Sequence, residues 1–402
     1  MNPSLLSEIG RLVERFVGWL EEYGETSYDH QTFFASPVGG GAKAFYYRSP
    51  LLGMLAVSPF IFCEAFLPSA RRFFWKRQRL AIADAHYAMG FAFLAKTTDR
   101  KEYLEEARHF LIVLEESRCP KFERYCWGYP FDWVTRNGTI STGTPLITIT
   151  PYVYEAFLQV YQIDGNPKWL GILRSIAEHA AVDIKDFETD SRASSCSYSP
   201  YDAGGVINAS AYRSFLLTSA SILLKEDRYM EIARKNLKFV LQNQRSDGSW
   251  PYAVDGVRDF IDHFHTCFVL KALAKIELLT GSAECGNAIE RGLEYYTKNL
   301  FDKQGLPMPF SKAPRLTVYR HELYDYAESI NLSILLKGRS LRLDKILDTV
   351  LEDLLTRWRK PDGSFRSRKL LLGWDNVPMH RWAQAQMFRS LCFLLKQEKR
   401  VS

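Results

Sequence analysis

One helical pattern recurs without gaps at EYLEEARHFL (102–111), KWLGILRSIA (168–177) and RYMEIARKNL (228–237). The aromatic anchors of the three copies are 66 and 60 residues apart, which is about twice the length of a short helical repeat. The repeating unit therefore has room for two helices. Each copy has an aromatic anchor and, five residues later, an arginine: Tyr103 and Arg108, Trp169 and Arg174, Tyr229 and Arg234.

An apolar helix precedes each copy, so the chain is predicted to form successive helical hairpins. Links within pairs are short and turn-like, whereas links between pairs are long and rich in Gly, Pro and aromatic residues. This pattern predicts an all-α fold, an (α/α)6 toroid of about six hairpins whose long links meet at one mouth. The predicted pairs are 79–96 with 100–117, 144–163 with 165–184, 206–224 with 226–243, 260–280 with 284–299, 321–337 with 341–357, and 379–396 with the ring-closing N-terminal helix 4–23.

We divide the chain into residues 79–402, the toroid, and residues 1–78, an N-terminal helix followed by an apolar and basic segment that packs on the ring. Leu51 to Leu67 is strongly apolar, and RRFFWKRQR (71–79) follows it. Such a combination also suits an anionic membrane surface, so peripheral contact of 51–79 with the inner face of a membrane is the alternative. The apolar stretch is too short and too interrupted to be favoured as a span.

The bulk composition is that of a globular protein, with 402 residues, 47% hydrophobic and 24% charged. The net charge of +6 is mildly basic and compatible with an anionic ligand. There is no RNP-like string, zinc-finger spacing or long Lys/Arg tract, so nucleic acid is not an expected partner. Composition leaves the oligomeric state open.

The cysteines favour a cytoplasmic protein with reduced thiols, because they are scattered, odd in number and never spaced C-x-x-C. The N-terminal helix lacks the uninterrupted apolar stretch of a signal peptide. No cofactor is expected, and no metal site either, since alternate residues of a helix cannot converge on one ion. The cysteines are Cys63, Cys119, Cys126, Cys196, Cys267, Cys285 and Cys392, and the rejected metal ligands are His263, His265 and Cys267.

The segment ARKNLKFVLQNQRSDGSW (233–250) resembles the Gln-Trp motif of the terpenoid cyclase and protein prenyltransferase superfamily. That superfamily shares the α/α toroid with six-hairpin glycosidases and with the C-terminal domain of glucuronyl C5-epimerases. The resemblance implies the fold and not the chemistry. Terpenoid and prenyl chemistry are disfavoured, because the sequence has no D-x-D-D string, no Asp-rich magnesium motif and no D-x-C pair.

Three further strings look like those of toroid proteins from bacterial surface-polysaccharide clusters. They are RYCWGYPFDW (124–133), NLFDKQGLPMPF (299–310) and HRWAQAQMF (380–388). This resemblance implies work on a saccharide, of an epimerase-like or lyase-like kind.

Polar and aromatic residues recur at the first turns of the inner helices, where packing alone predicts apolar ones. If these ends meet at one mouth, they form a funnel in which aromatic rings stack on sugars and arginines bind carboxylates. The predicted substrate-binding residues are Trp127, Tyr129, Trp133, Tyr152, Arg213, Arg258, Tyr324, Trp374, His380 and Arg381.

Catalysis by proton transfer requires groups such as His and Tyr that exchange protons near neutral pH. SPYDAGGVINASAY (199–212) is similar to the Tyr-Asp…Tyr arrangement of glucuronyl epimerases, which implies Tyr201 and Tyr212 as acid and base. The family's Arg-His after the Tyr-Asp is missing here. The other predicted catalytic residues are His265, His321, Asp202 and Asp262.

These residues predict an enzyme that acts on an acidic, uronic-acid-containing polysaccharide or lipid-linked saccharide. Removal of the C5 proton followed by reprotonation would make it an epimerase, and loss of the 4-linked sugar would make it a lyase. An inverting hydrolase is the first alternative, with its two carboxylates drawn from Asp202, Asp262, Asp325 and Asp375. A non-catalytic saccharide-binding scaffold of polysaccharide biosynthesis is the second.

Overall fold

The computed structural model describes residues 3–98, 100–315 and 317–399. It contains sixteen α-helices, numbered α1 to α16 along the chain, and twelve of them form two concentric layers. The outer layer consists of α1 (Pro3–Tyr23), α7 (Glu102–Glu116), α9 (Pro167–Glu178), α11 (Asp227–Gln242), α13 (Ala283–Asn299) and α15 (Leu341–Asp353). The inner layer consists of α6 (Ala81–Thr97), α8 (Thr150–Asp164), α10 (Ile207–Leu224), α12 (His263–Thr280), α14 (Leu323–Leu335) and α16 (Ala385–Lys399).

The ring is closed, because each inner helix packs against the next and α16 packs against α6. The N-terminal helix α1 lies against α16 and completes the sixth hairpin. The prediction of an (α/α)6 toroid is therefore confirmed. Helix α1 belongs to the ring itself, so the segment added to the ring begins after Tyr23.

Burial explains why the two layers differ in sequence. Helix α10 is buried without interruption from Ile207 to Ser221, since it has neighbours on every side. Helix α11 buries only a stripe at helical spacing, which includes the anchor Tyr229 and Phe239. All three repeat anchors are buried against the inner layer.

The repeated arginines join neighbouring hairpins. Arg108 Nε donates to Asp164 Oδ2 at the end of α8, at 3.0 Å, and Arg174 forms an ion pair with Glu226 in the link before α11. Arg108 and Arg174 thus bind the turn of the following hairpin. This contact gives a structural reason for the position that the arginine shares in these two copies.

The Asp-Gly turn after α11 requires glycine. Gly248 has a φ of +88°, and a Cβ at this position would lie 2.2 Å from the carbonyl oxygen of Arg291. Trp250 then turns back, and its indole N–H donates to the carbonyl of Val240 at 3.0 Å. The turn with its tryptophan fastens two adjacent hairpins.

Short antiparallel strands occupy the links between hairpins. They form three two-stranded sheets and one three-stranded sheet of order β7-β8-β9, in which Glu322 is the register partner of Arg368. The helical ends are extended by π-helical turns at His179–Asp183, Leu354–Trp358 and His380–Gln384. The strands are β1 (Trp133–Thr135), β2 (Gly138–Ile140), β3 (Asp186–Asp190), β4 (Ala193–Cys196), β5 (Ile261–Asp262), β6 (Phe310–Lys312), β7 (Tyr319–Glu322), β8 (Arg368–Leu370) and β9 (Trp374–Asp375).

Residues 24–80, which we call the insert, lie between α1 and α6 on the face where these links gather. Helices α2 and α3 of the insert contact β1. Ion pairs fix it to the last links of the ring: Arg71 to Asp375 at 2.7 Å and Arg368 to Glu64 at 2.7 Å. The insert consists of α2 (Thr32–Ala35), α3 (Pro37–Arg48), α4 (Pro50–Phe66), a 3₁₀ turn (Pro68–Ala70) and α5 (Arg71–Phe74).

Among the described residues, no individual helix has both the length and the apolar content needed to cross a membrane. Residues 50–66 and 68–74 reach that length and composition only as a pair, and they are bent against each other by 116°.

Candidate active site

The first turns of the inner helices and the links that precede them meet at one end of the ring, and we call this group of residues the funnel. One wall is a stack of three aromatic side chains. The rings of Tyr324 and Trp382 are nearly parallel, at 17°, with centroids 5.8 Å apart, and Phe264 lies 5.1 Å from Tyr324. Parallel aromatic plates of this kind suit the apolar face of a sugar ring.

Arg381 supports this wall from behind. Its guanidinium lies 3.9 Å from the ring centroid of Trp382 and 4.5 Å from that of Tyr129. Nε and Nη2 donate to the two carboxylate oxygens of Asp29 of the insert, at 2.9 and 2.5 Å. Burial raises the pKa of Asp29, but Arg381 outweighs it and the net pKa is lowered. Arg381 is thus already paired and holds the insert to the funnel wall.

Asp262 and His265 form an oriented pair at the start of α12. Asp262 caps the helix by accepting the backbone N–H of His265 at 2.9 Å, and its other oxygen lies 2.6 Å from His265 Nδ1. The carboxylate therefore favours the tautomer with hydrogen on Nδ1, which leaves the Nε2 lone pair free. Nε2 makes no hydrogen bond to any described residue, and the side chain is 21% exposed. This is the geometry of a general base with its orienting carboxylate.

Two tyrosines lie deeper in the funnel. The hydroxyl oxygens of Tyr152 and Tyr212 are 2.5 Å apart. The Phe268 ring contacts both Tyr212, at 5.1 Å, and His265, at 5.5 Å, so phenol and imidazole border one side chain. Burial raises the pKa of both phenols well above the usual value. They stay protonated at neutral pH and can act as proton donors.

Charged groups continue below the tyrosines along the axis of the ring. Lys271 is ion-paired with Glu328, which also accepts a hydrogen bond from Gln386 at 2.6 Å. Lys275 is paired with Glu155 at 2.5 Å. Both carboxylates of this layer therefore already have a cationic partner.

Arg389 is the additional cation of this layer. It is buried, and its Nε and Nη1 make no hydrogen bond to a described residue. His86 beside it is buried with both ring nitrogens unpartnered, 4.6 Å from the Tyr152 ring. Burial lowers the pKa of His86 well below its usual value, so the imidazole is neutral. Buried donors without partners are rare and costly, and here they make an excess positive site suited to an anion.

Several predicted residues lie at the funnel or its rim. Trp133 packs 5.6 Å from Tyr129 and 6.1 Å from Tyr198. Arg258 is paired with Asp255 at 2.6 Å, and its guanidinium lies 5.4 Å from the Tyr252 ring. The structure thus brings together Tyr129, Trp133, Tyr152, Tyr212, Arg258, Asp262, His265, Tyr324 and Arg381.

Arg213 is placed elsewhere. It is buried behind α10, where Nη1 donates to Asp186 at 2.6 Å and Nε donates to the carbonyl of Ala180, also at 2.6 Å. Trp127 donates to the carbonyl of Leu114 at 2.7 Å in the core between hairpins. Both side chains fasten parts of the ring and lie outside the funnel cluster.

The remaining predicted residues have structural contacts of their own. His380 lies 2.5 Å from the Tyr87 hydroxyl and 3.0 Å from the Gly24 carbonyl, and His321 lies 2.8 Å from the Pro307 carbonyl. Asp202 accepts backbone hydrogen bonds from Tyr198, Ser199 and Gly204 and so shapes its loop. Tyr201 projects from that loop into solvent, and Trp374 packs on Trp358.

The carboxylates offered for an inverting hydrolase do not form an open pair. Asp375 is buried and paired with Arg71, and the carboxylate of Asp202 already accepts hydrogen bonds from its own loop. Asp325 is fully buried, and burial raises its pKa well above the usual value, so it is protonated. Only Asp262 reaches the funnel, where it orients His265.

Arg389, His86, Lys271, Glu328 and Phe268 are missing from the predicted site. For Lys271, Glu328 and Arg389, the signal in the sequence that could have found them is a charge in the middle of a helix that is otherwise apolar on all sides. Lys271, Glu328 and Arg389 lie beyond the first turns of their helices, where the predicted site residues lie. In the described part of the chain, no three His, Cys, Asp or Glu side chains are grouped so as to hold a metal ion.

Comparison with known proteins finds relatives in structure alone. No family model matches the chain, and no curated protein sequence does so either. An unsaturated glucuronyl hydrolase specific for heparin superposes with a TM-score of 0.64 at 10% identity, over 99% of this chain and 98% of that chain.

Two further solved structures show the same fold. A cellobiose 2-epimerase from Bacillus thermoamylovorans has a TM-score of 0.62 at 10% identity, over 81% of this chain and 88% of that chain. A D-mannose isomerase has a TM-score of 0.59 at 16% identity, over 79% and 86%. By helix order, ring closure and these neighbours, the chain has the (α/α)6 toroid fold.

Proposed function

We propose that this protein is a carbohydrate-active enzyme that binds an acidic saccharide in the funnel and moves the proton on the carbon next to its carboxylate. One observation carries the proposal: an oriented base, His265 with Asp262, and a buried cation, Arg389, lie on one connected group of aromatic rings. In this group His265 contacts Phe268, Phe268 contacts Tyr152, and the Arg389 guanidinium lies 5.8 Å from the Tyr152 ring. A base and a carboxylate-binding cation are the two requirements for abstracting a proton from that carbon.

Binding is supported by complementary surfaces. The half-buried rings of Trp382 and Phe264, which pack on the buried Tyr324, suit a sugar ring, and the net positive layer suits a carboxylate. Arg389 offers N–H donors that a carboxylate can accept in pairs. Pairing there would lower the charge on the carboxylate, which makes the adjacent C–H bond more acidic.

In the proposed reaction, His265 Nε2 takes the C5 proton of a uronic acid residue and leaves an enolate. Arg389, with the buried donors around it, stabilises the negative charge that develops on the carboxylate. A phenol of the Tyr152–Tyr212 pair then returns a proton to C5 from the opposite face, which gives the epimer. Elimination of the sugar linked at C4 from the same enolate would give an unsaturated product instead.

The fold neighbours support a carbohydrate-active enzyme of this general kind, since their names describe a glucuronyl hydrolase, a sugar epimerase and a sugar isomerase.

The direct test is incubation with a panel of uronic-acid-containing oligosaccharides in deuterated water, followed by NMR and absorbance spectroscopy. Deuterium at C5 supports the epimerase, and absorbance of an unsaturated uronate supports the lyase. New reducing ends without either signal would contradict proton transfer and indicate hydrolysis. Binding without any chemical change would indicate a saccharide-binding scaffold.

The matched variants are His265→Gln and His109→Gln. His109 is a half-exposed histidine on the outer helix α7, where it pairs with Glu25. His265→Gln should reduce turnover by roughly 10²- to 10⁴-fold, the usual contribution of a general base. His109→Gln should leave turnover unchanged. Equal activity of the two variants would rule out His265 as the base.

A further inference from the structure

The insert carries an apolar surface that no described residue covers. On α4, Gly53, Val57 and Phe60 point inward and are buried. The opposite side of the same helix is exposed, and we call it the α4 face. It consists mainly of Leu51, Leu52, Met54, Leu55, Phe62 and Phe66.

The unpaired charges near the α4 face are positive. Glu64 is the only charged residue of α4, and it is paired with Arg368 of the ring. Exposed Arg48 precedes α4 in the chain, and exposed Arg72 and Lys76 follow it. Residues 37–76 contain five Lys or Arg and one acid, so this stretch has most of the chain's net charge of +6. Any partner must therefore be apolar at its centre and anionic at its edge.

We propose that the α4 face docks on the surface of an anionic lipid bilayer. The exposed side of α4 is apolar except for Ser58, and an apolar helical side flanked by basic residues is typical of helices that lie in the membrane interface. The cations would contact anionic headgroups while Leu and Phe side chains enter the acyl boundary. Helix α4 has 17 residues and turns by 116° into the next segment, which suits lying in the interface and not crossing it.

The position of the insert links docking to the funnel. The same segment that carries the α4 face supplies Asp29 to Arg381 and His30 to Trp382, whose rings are 5.1 Å apart. Docking would hold the funnel wall beside the bilayer. If the proposed function is also correct, on which this last step rests, the substrate class is an acidic saccharide on a membrane lipid.

The test is sedimentation of the full chain with vesicles of phosphatidylcholine alone and with vesicles that also contain phosphatidylglycerol. We expect binding to the anionic vesicles that weakens with added salt. The variant Leu51→Glu/Leu55→Glu should lose at least about tenfold in vesicle affinity, because two exposed side chains can no longer enter the apolar layer. Arg48→Gln/Arg72→Gln should weaken binding to anionic vesicles alone.

The matched control is Leu278→Glu/Leu341→Glu, which places the same charges on equally exposed leucines outside the insert. Their exposures are 83% and 82%, against 84% and 73% for Leu51 and Leu55. This control should bind vesicles like the wild type, and all variants should keep the wild-type melting temperature.

Failure of the wild type to bind any vesicle would overturn the proposal. So would a dimer in the absence of lipid that only Leu51→Glu/Leu55→Glu dissociates, since a second copy would then cover the face. Neither result depends on whether the protein turns over a saccharide.

Discussion

Two buried arginines on the inner helices differ in the number of hydrogen bonds that neighbouring groups make to them. Arg213 of α10 is bound by Asp186, Asn236 and the carbonyls of Ala180 and Ile184. Arg389 of α16 faces the axis, where Lys271 and Lys275 are already paired with the two carboxylates.

Burial of a charge therefore does not by itself identify a site, and the two arginines differ in the hydrogen bonds of their guanidinium groups. Around Arg213 the backbone carbonyls are arranged to complete the guanidinium's bonds, so its role is to hold the link after α9 against α10 and α11. Nε and Nη1 of Arg389 are buried without a partner, and such an arrangement costs free energy unless a ligand completes it.

The largest expected effect is on stability, at Arg213. Arg213→Met leaves Asp186 and several carbonyls without their donor, so we expect a loss of about 3–5 kcal/mol in the free energy of unfolding. Arg389→Met removes an unpaired cation from the interior and should leave the unfolding free energy unchanged or higher. Urea denaturation of the two variants and the wild type measures their free energies of unfolding. A comparable loss in both would mean that Arg389 is structural too.

The second effect is on binding, at Arg389. Arg389→Met should lower the affinity for an acidic oligosaccharide by roughly ten- to a hundredfold, because hydrogen bonds to a charged group contribute about 1.5–3 kcal/mol. Affinity can be followed by the fluorescence of Trp382 and the other tryptophans on titration. Unchanged affinity, with folding intact by circular dichroism, would contradict the anion site.

A third cluster, Glu322 with His30 and Arg368, extends the comparison to pH. Burial raises the pKa of Glu322, but Arg368 and His30 outweigh it and hold the pKa at about 2, below its ordinary 4.5. Because the folded pKa is depressed, this carboxylate stabilises the fold fully above pH 4.5 and loses that effect as the pH falls toward about 2.

Glu322→Gln should therefore destabilise the protein near neutral pH, and the difference from the wild type should shrink at about pH 3. Urea denaturation at the two pH values gives the comparison. A difference that is constant with pH would show that the charge of Glu322 does not matter.

The smallest expected effect is that of a conservative change at the axis. Arg389→Lys keeps the charge and loses the planar set of donors, so saccharide affinity should fall by less than in Arg389→Met. Affinity titrations of both variants against one oligosaccharide rank them. If lysine is as poor as methionine, paired hydrogen bonds and not charge decide the binding.

Much of the fold was predictable because hairpins leave strong local signals. The period of the outer helices, the Asp-Gly turns and the aromatic anchors gave boundaries close to those observed, such as 206–224 against Ile207–Leu224 for α10. The ring closure by the N-terminal helix followed from counting the helices. The side on which the insert lies was not predictable, since Asp29–Arg381 and Arg71–Asp375 join residues more than 300 apart.

The site was predictable only in part, because polar residues at helix starts serve two purposes. Asp262 both caps α12 and orients His265, whereas Asp202 only shapes a loop and His380 only joins α1 to the ring. Sequence shows the residue type and its place on the helix, but whether a donor is satisfied depends on neighbours from other hairpins. For the same reason, the sequence alone does not distinguish Arg213 from Arg389.

We expect the buried guanidinium of Arg389 to bind the carboxylate of an acidic saccharide. Titration calorimetry with a uronic oligosaccharide and with its carboxyl-reduced, neutral counterpart measures this most directly. We predict that the wild type binds the acidic form more tightly by roughly ten- to a hundredfold and that Arg389→Met binds the two forms equally. Equal binding of the two forms by the wild type, or a preference that survives in Arg389→Met, would rule out Arg389 as the carboxylate site.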